Sequence, residues 1–135
     1  MKIVNLTMHQ ATAEQVEVGV FDLTERDSVE VKELLNFVEL PTPEEIHKRA
    51  VKIAHLAALY CPDAAMIGGA VYLMPELARM LKASGIQPLA AFSIRESVEV
   101  QNPDGSVTKT AVFKHRGFVD MTPQGMVFAD VNPWN

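Results

Sequence analysis

An alternation of helical and apolar patterns between residues 43 and 92 constrains the fold of this chain more than any other feature. A helix begins at Pro43, where the preceding threonine supplies a cap. The apolar run Ala64–Ile67 follows, then a helical pattern over Leu73–Ala83 and a second apolar run, Ile86–Phe92. Short strands that alternate with helices favour right-handed crossovers, so we predict a parallel sheet in this part of the chain.

The N-terminal part contains shorter elements of the same kinds. Lys2–Leu6 and Val20–Leu23 have the apolar pairs of short strands, and Ala13–Val18 between them has the capping pattern of a short helix. The charged stretch Thr24–Glu33 fits either a helix or a strand. Next to it, we predict Leu34–Val38 as a strand.

The C-terminal part has the pattern of an antiparallel hairpin. Ser97–Gln101 and Ser106–Val112 alternate in polarity on either side of the turn residues Asn102–Gly105. We predict that Phe118–Val119 extends the sheet and that Met126–Ala129 forms one more short strand.

A length of 135 residues fits a single domain, long enough to bury a core without a disulfide or a structural metal. The combined patterns predict one small Rossmann-like three-layer α/β domain over residues 1–135. Its parallel core sheet is extended by a C-terminal antiparallel hairpin.

Composition argues against several classes of partner. The net charge of −5 argues against binding to long nucleic acid, which is held by basic surfaces. Cys61 is a single cysteine, and we find no zinc-type spacing, so we expect a reducing compartment and no metal site. No apolar run approaches the roughly 20 residues of a membrane span, and the N-terminal run is short for a signal peptide. We therefore expect a cytoplasmic protein without a membrane partner.

Polar residues and glycines follow three of the predicted parallel strands. Because the carboxyl ends of such strands meet at one edge of the sheet, where open α/β sheets bind ligands, we expect these residues to form one site. They are Thr7, His9 and Gln10 after the first strand, Gly68 and Gly69 after the third, and Ser93, Arg95 and Glu96 after Phe92.

Each of these residues also has a purely structural interpretation. The two glycines are as well explained by a tight turn between a strand and a helix as by a phosphate-binding loop. His9 alone is typical of an exposed histidine, and Arg95 and Glu96 could pair on the surface. His115, with the neighbouring hairpin cations, fits a solvated face as well as a binding site.

Two blocks of the chain resemble the small stand-alone CRISPR-associated Rossmann-fold (CARF-type) proteins of type III systems, which are ring nucleases in many cases. In one branch of that group a strand leads into an arginine-glutamate pair and then a hairpin, and the N-terminus has a threonine-histidine pattern. The matching residues are Arg95–Val98, Asp104–Val107, Lys109, Thr110, Val112, Phe113 and His115, with Thr7, His9, Thr12, Glu14 and Gln15 at the N-terminus.

The resemblance implies a homodimer that binds a cyclic oligoadenylate across its two-fold axis and cleaves it without a metal or another cofactor. It implies catalytic roles for His9, Arg95 and His115, with Thr7, Gln10, Gly68, Gly69, Ser93 and Glu96 binding the ligand. Ile94 departs from the pattern, because relatives commonly have a second basic residue there. Two alternatives remain open: a sensor or sponge, such as a phage-borne one, that binds a cyclic nucleotide without cleaving it, and a Rossmann-like domain for another nucleotide.

Overall fold

The computed structural model describes residues 1–123, which form a five-stranded sheet with helices on both faces. The strand order is β2-β1-β3-β4-β5; the first four strands are parallel, and β5 is antiparallel to β4. In chain order the elements are β1 (Ile3–Asn5), α1 (Ala13–Glu17), β2 (Val20–Asp22), α2 (Glu25–Leu35), α3 (Pro43–Ala58), β3 (Ala64–Met66), α4 (Met74–Ala83), β4 (Gln87–Gln101) and β5 (Val107–Asp120).

The sheet separates a large core from a small one. On one face, Val4 and Ala65 are fully buried against side chains of α2, α3 and α4. On the other face a smaller cluster forms around Ile3 and Met66, with Ala11 from the approach to α1 packed against it. The predicted Rossmann-like α/β fold with a parallel core is confirmed, and the layer formed by α1 is thin.

Capping residues fix several of the predicted helix starts. The Thr12 hydroxyl accepts a hydrogen bond from the main-chain N–H of Gln15 at 3.2 Å, and the side-chain oxygen of Gln15 accepts one from the main-chain N–H of Thr12 at 3.0 Å, which completes a capping box. Thr42 caps α3 through its hydroxyl alone, which accepts from the main-chain N–H of Glu45 at 3.2 Å, with Pro43 in the first turn. The predicted strands and helices from Lys2 to Ala83 are confirmed to within a few residues, apart from the segment around α2.

The prediction of a strand at Leu34–Val38 is wrong. Thr24 caps a helix instead, because its hydroxyl accepts from the Asp27 amide at 3.3 Å, and α2 then continues to Leu35. Val31 and Leu35, four positions apart, are its buried residues. The charged stretch is thus the exposed face of an amphipathic helix.

The end of α2 is held by a single arginine from α3. The Arg49 guanidinium donates to the carbonyl oxygens of Asn36 at 2.7 Å and Leu34 at 3.2 Å, and it lies 4.1 Å from the centre of the Phe37 ring. These carbonyls have no partner within the helix, so the arginine both satisfies them and fixes the α2–α3 corner.

An acidic side chain connects α3 and α4. Glu76 of α4 accepts from Arg79 at 2.6 Å and lies 2.6 Å from Nδ1 of His47 on α3. The hydrogen bond from Arg79, with a further one from His47, lowers the pKa of Glu76 to about 2.

The C-terminal hairpin is longer than predicted. The sequence suggested a strand ending at Phe92 and separate hairpin arms, but β4 runs without interruption from Gln87 to Gln101. Its partner β5 is continuous as well, with one register shift at Phe92/Ser93, close to Gly117, whose φ is +144°. Only the first three residues of β4 pair with β3, so the rest projects from the sheet as a two-stranded ribbon.

We call residues 91–118 the ribbon and residues 1–90 the body. No helix in residues 1–123 is long and apolar enough to cross a membrane. The predicted strand at Met126–Ala129 lies outside the described residues.

Candidate functional site

The sheet has one point at which the chain changes direction. From β1 the chain crosses to β2 on one side, whereas β3 and β4 follow on the other side. In open α/β sheets, ligands bind in the crevice outside the carboxyl ends of the two strands at such a point, here β1 and β3. A cavity of about 640 Å³ lies there, lined by Thr7, Met8, His9, Gln10, Thr12, Gln15, Met66, Ile67, Gly68, Gly69, Ala90 and Ala91. We call it the crevice.

A buried amide holds the loop that forms one wall of the crevice. Asn5 is only 5% exposed, and its Nδ2 donates to the His9 carbonyl at 2.7 Å and to the Asp22 carboxylate at 2.8 Å. Its Oδ1 accepts from the Thr7 amide at 3.0 Å and from the Thr7 hydroxyl at 2.7 Å. The Asp22 carboxylate also accepts from the Ala11 amide at 3.1 Å. Asn5 and Asp22 therefore hold the backbone of this loop and the Thr7 hydroxyl in place.

Within residues 1–123, Gly68 has no structural reason to be a glycine. Its φ lies outside the positive range, and an added β-carbon would meet only Cγ2 of Thr7, at an ordinary 3.5 Å. The residue lines the crevice, where bare backbone lets another molecule approach closely. A bound ligand is therefore the simplest reason for a glycine at this position.

Gly69 differs from its neighbour. Its φ of +145° lies in a region that side-chain-bearing residues rarely adopt, so the turn from β3 towards α4 requires a glycine there. For Gly69 the structural interpretation suffices, although the residue also lines the crevice.

The crevice exposes mostly apolar surface and carries little charge. Among the described residues that line it, His9 has the one titratable side chain, and there is no lysine or arginine. The same loop borders a second cavity of about 460 Å³, whose lining includes Asp22, Glu25 and Lys32. An anion in the crevice would thus be held by main-chain N–H groups and neutral side chains, as in backbone nests.

The structure brings together five of the predicted site residues and leaves four outside the crevice. Those in its lining are Thr7, His9, Gln10, Gly68 and Gly69. Ser93 and Arg95 lie in the ribbon on the same face as Ala91, two and four positions farther along β4. His115 pairs with Ser93, and its ring packs 4.8 Å from that of Phe118.

Glu96 lies on the opposite face of the ribbon. Its carboxylate accepts from Arg116 at 2.8 Å and lies 3.7 Å from Nζ of Lys114. The expected surface pair of Arg95 with Glu96 is therefore wrong, because adjacent residues of a strand point to opposite faces. Glu96 instead joins the two strands of the ribbon.

Sequence reasoning missed Asn5 and Asp22, which support the crevice, and it did not include Gln15 among the site residues. Asn5 and Gln15 are the buried polar residues among residues 1–123. An asparagine within an apolar strand was the available signal, since a buried amide needs several hydrogen-bond partners. Among residues 1–123, no group of three or more His, Cys, Asp and Glu side chains could hold a metal ion.

Comparison with known proteins identifies a family for the chain. The model of the Uncharacterized protein MJ1673 family matches residues 1–119. The chain belongs to this family. No curated protein matches it, and no solved structure matches it either. Because the match runs from β1 almost to the end of β5, the MJ1673 family shares both the body and the ribbon.

Proposed function

We propose that this member of the MJ1673 family binds a cyclic oligoadenylate in the crevice and cleaves it without a metal. The observation that carries the proposal is Gly68, a glycine required neither by its own backbone conformation nor by its neighbours, beside a preformed cavity at the switch point. The resemblance to CARF-type proteins supplies the ligand class.

The crevice suits part of such a ligand. Its volume of about 640 Å³ falls within the 300–1,000 Å³ typical of small-molecule sites. The main chain at Gly68 and Gly69 offers N–H groups to a phosphate, while Thr7 and Gln10 offer side-chain hydrogen bonds. A cyclic, symmetric ligand would be shared by two copies of the chain, each holding one half.

Cleavage would need little beyond orientation and proton transfer. The ribose 2′-oxygen attacks the adjacent phosphorus while the bond from phosphorus to the 5′-oxygen breaks, which leaves a 2′,3′-cyclic phosphate and a 5′-hydroxyl. His9, which lines the crevice, would accept the proton from the 2′-hydroxyl or return one to the 5′-oxygen. The N–H groups at Gly68 and Gly69 would stabilise the charge that develops on the phosphate.

Binding without cleavage is the second candidate function. The described lining of the crevice favours it, because His9 is the one titratable group there. Cleavage transfers protons at two oxygens, the 2′-oxygen and the 5′-oxygen, and is fastest when two titratable groups share this task. Arg95 and His115 lie outside the lining, on the ribbon.

The two candidates are separated by incubating the protein with cyclic tri-, tetra- and hexaadenylate in excess EDTA and analysing the products by chromatography. We expect one ring size to be converted to linear products ending in a 2′,3′-cyclic phosphate, and His9→Gln to retain the intact ring. Retention of an intact ring by the wild type would favour the binding protein. If none of the rings bound, both candidates would be wrong.

A further inference from the structure

The outer edge of β4 is open along the ribbon. β4 pairs with β3 only through Gln87–Leu89, and no other described strand covers that edge beyond them. Residues 91–101 therefore present an unpaired strand edge of roughly 36 Å, at about 3.3 Å per residue. Open edges are templates for pairing with another chain, and an isolated two-stranded ribbon is only marginally stable in water.

The charges along β4 are arranged symmetrically about Ser97. Arg95 and Glu99 lie two positions on either side of it and on the same face of the strand. Neither side chain forms an ion pair within residues 1–123. If two β4 edges meet antiparallel about a two-fold axis at Ser97, Arg95 lies opposite Glu99 of the partner subunit, and the second such pair follows by symmetry.

The charges select this register among its neighbours. A two-fold axis perpendicular to the sheet pairs residues of the same face, so it must pass beside one residue of β4. An axis at Arg95, Glu96 or Glu99 would place identical charges directly opposite each other, which is unfavourable. An axis at Ser97 instead places Arg95 opposite Glu99 of the partner subunit. It also places Ile94 opposite Val100 of the partner subunit.

The other edge of the ribbon is less suitable for self-pairing. β5 carries Lys109, Lys114 and Arg116, and its one acidic residue, Asp120, stands at the far end. Two β5 edges brought together would offer these cations no acidic partner from β5 within the ribbon. The pattern therefore favours β4 as the self-complementary edge.

We propose that two copies of the chain pair through β4, centred on Ser97, and form a four-stranded antiparallel sheet in the order β5-β4-β4-β5. In this register Ala91, which lines the crevice, lies opposite Pro103 of the partner subunit. The hairpin tip of each copy is then placed beside the crevice of the other. The pairing itself does not depend on the proposed ligand, whereas a role of the tip at the crevice rests on that proposed function.

The pairing is tested by disulfide cross-linking in a Cys61→Ser background, without ligand. On the two-fold axis, two copies of Ser97→Cys have Cα atoms about 4.5–5.5 Å apart, within the range that a disulfide spans. The matched control is Ala111→Cys, which pairs with Ser97 on the same face but lies on β5, so its two copies are about 14 Å apart. We expect nearly complete cross-linking of the first variant and none of the second. Cross-linking of Ala111→Cys alone would overturn the proposal.

A charge exchange tests the register by an independent readout. Arg95→Glu and Glu99→Arg each place like charges opposite one another, so each should weaken dimerisation at least about tenfold in sedimentation velocity, and the double variant should restore it. A wild-type mass equal to that of the 14.9 kDa monomer at all concentrations would overturn the proposal. Because the dimer is measured without ligand, this failure is distinct from failure of the crevice to bind a cyclic oligoadenylate.

Discussion

The body and the ribbon are both built around β-strands, yet they depend on different neighbours. In the body, three-residue strands are buried between helices, and Val4 and Ala65 are fully enclosed by the same chain. In the ribbon, the outer parts of β4 and β5 have only each other as partners among the described strands, and Phe113 remains 72% exposed. The body is stabilised by burial within one chain, whereas the ribbon has surfaces and an edge to offer to another.

The largest expected difference between the two regions concerns their histidines. If chemistry takes place in the body, His9→Gln should slow single-turnover cleavage of cyclic tetraadenylate by about 10²- to 10⁴-fold with little change in affinity. His115→Gln, the matched ribbon variant, should leave the rate within about threefold, since a group outside the crevice transfers no proton there. If His115→Gln slowed cleavage and His9→Gln did not, the reaction would have to take place at the ribbon and not in the crevice.

The body and the ribbon should also differ in how much a truncated side chain lowers the free energy of unfolding. Leu77 is fully buried in α4, so Leu77→Ala should lower the free energy of unfolding by about 2–5 kcal/mol in urea. Phe113→Ala should change it by less than about 0.5 kcal/mol in dilute monomer, because the ring is exposed. Equal losses would show that the ribbon and the body form one packed unit.

Gly68 and Gly69 are neighbours in the body, yet their substitution by alanine should have different effects on stability. Gly69→Ala should cost about 1–3 kcal/mol of stability, because alanine must adopt a φ near +145°. Gly68→Ala should cost less than about 0.5 kcal/mol, since space is available for its β-carbon. Thermal unfolding of both variants checks this, and a strongly destabilised Gly68→Ala would remove the argument for a ligand.

The smallest expected effect is a pH dependence carried by Glu76. Its pKa in the folded state, about 2, lies below the ordinary value of 4.5, so its contribution to stability is present above pH 4.5 and is lost as the pH falls towards 2. The group is near the surface, and the contribution should stay below about 1 kcal/mol. Glu76→Gln should reduce stability at pH 7 and match the wild type near pH 2. If the wild type and Glu76→Gln differed in stability by the same amount at pH 7 and at pH 2, the lowered pKa of Glu76 would not be the cause of the difference.

Local signals predicted most of the body. The capping threonines and Pro43 mark helix starts by contacts within four residues, and the parallel order follows from the chirality of crossovers. Leu34–Val38 was wrong because the Thr24 cap and the four-residue spacing of Val31 and Leu35 favour a helix. The charge pattern of Thr24–Glu33 fits either a helix or a strand, so neither of these two signals was recognised from the sequence.

The candidate site was predictable only where local signals sufficed. Thr7, His9 and Gly68 meet because parallel strands end at one edge. Ser93 and Arg95 were assigned to that edge on the assumption that β4 ends at Phe92, but pairing with β5, set by residues about 20 positions away, carries the strand onward. Asn5 supports the crevice loop because β1 lies beside β2 in the sheet. The identity of a single residue does not show which strands are neighbours.

The most direct test is a titration of labelled cyclic tri-, tetra- and hexaadenylate into the wild type, Gly68→Ala and Gly68→Val, with circular dichroism confirming that all three proteins are folded. We expect saturable binding of one ring size, with one ring held by two chains and affinity falling stepwise as the side chain at position 68 grows into the crevice. Equal affinity in all three proteins, or no binding by the wild type, would contradict this expectation.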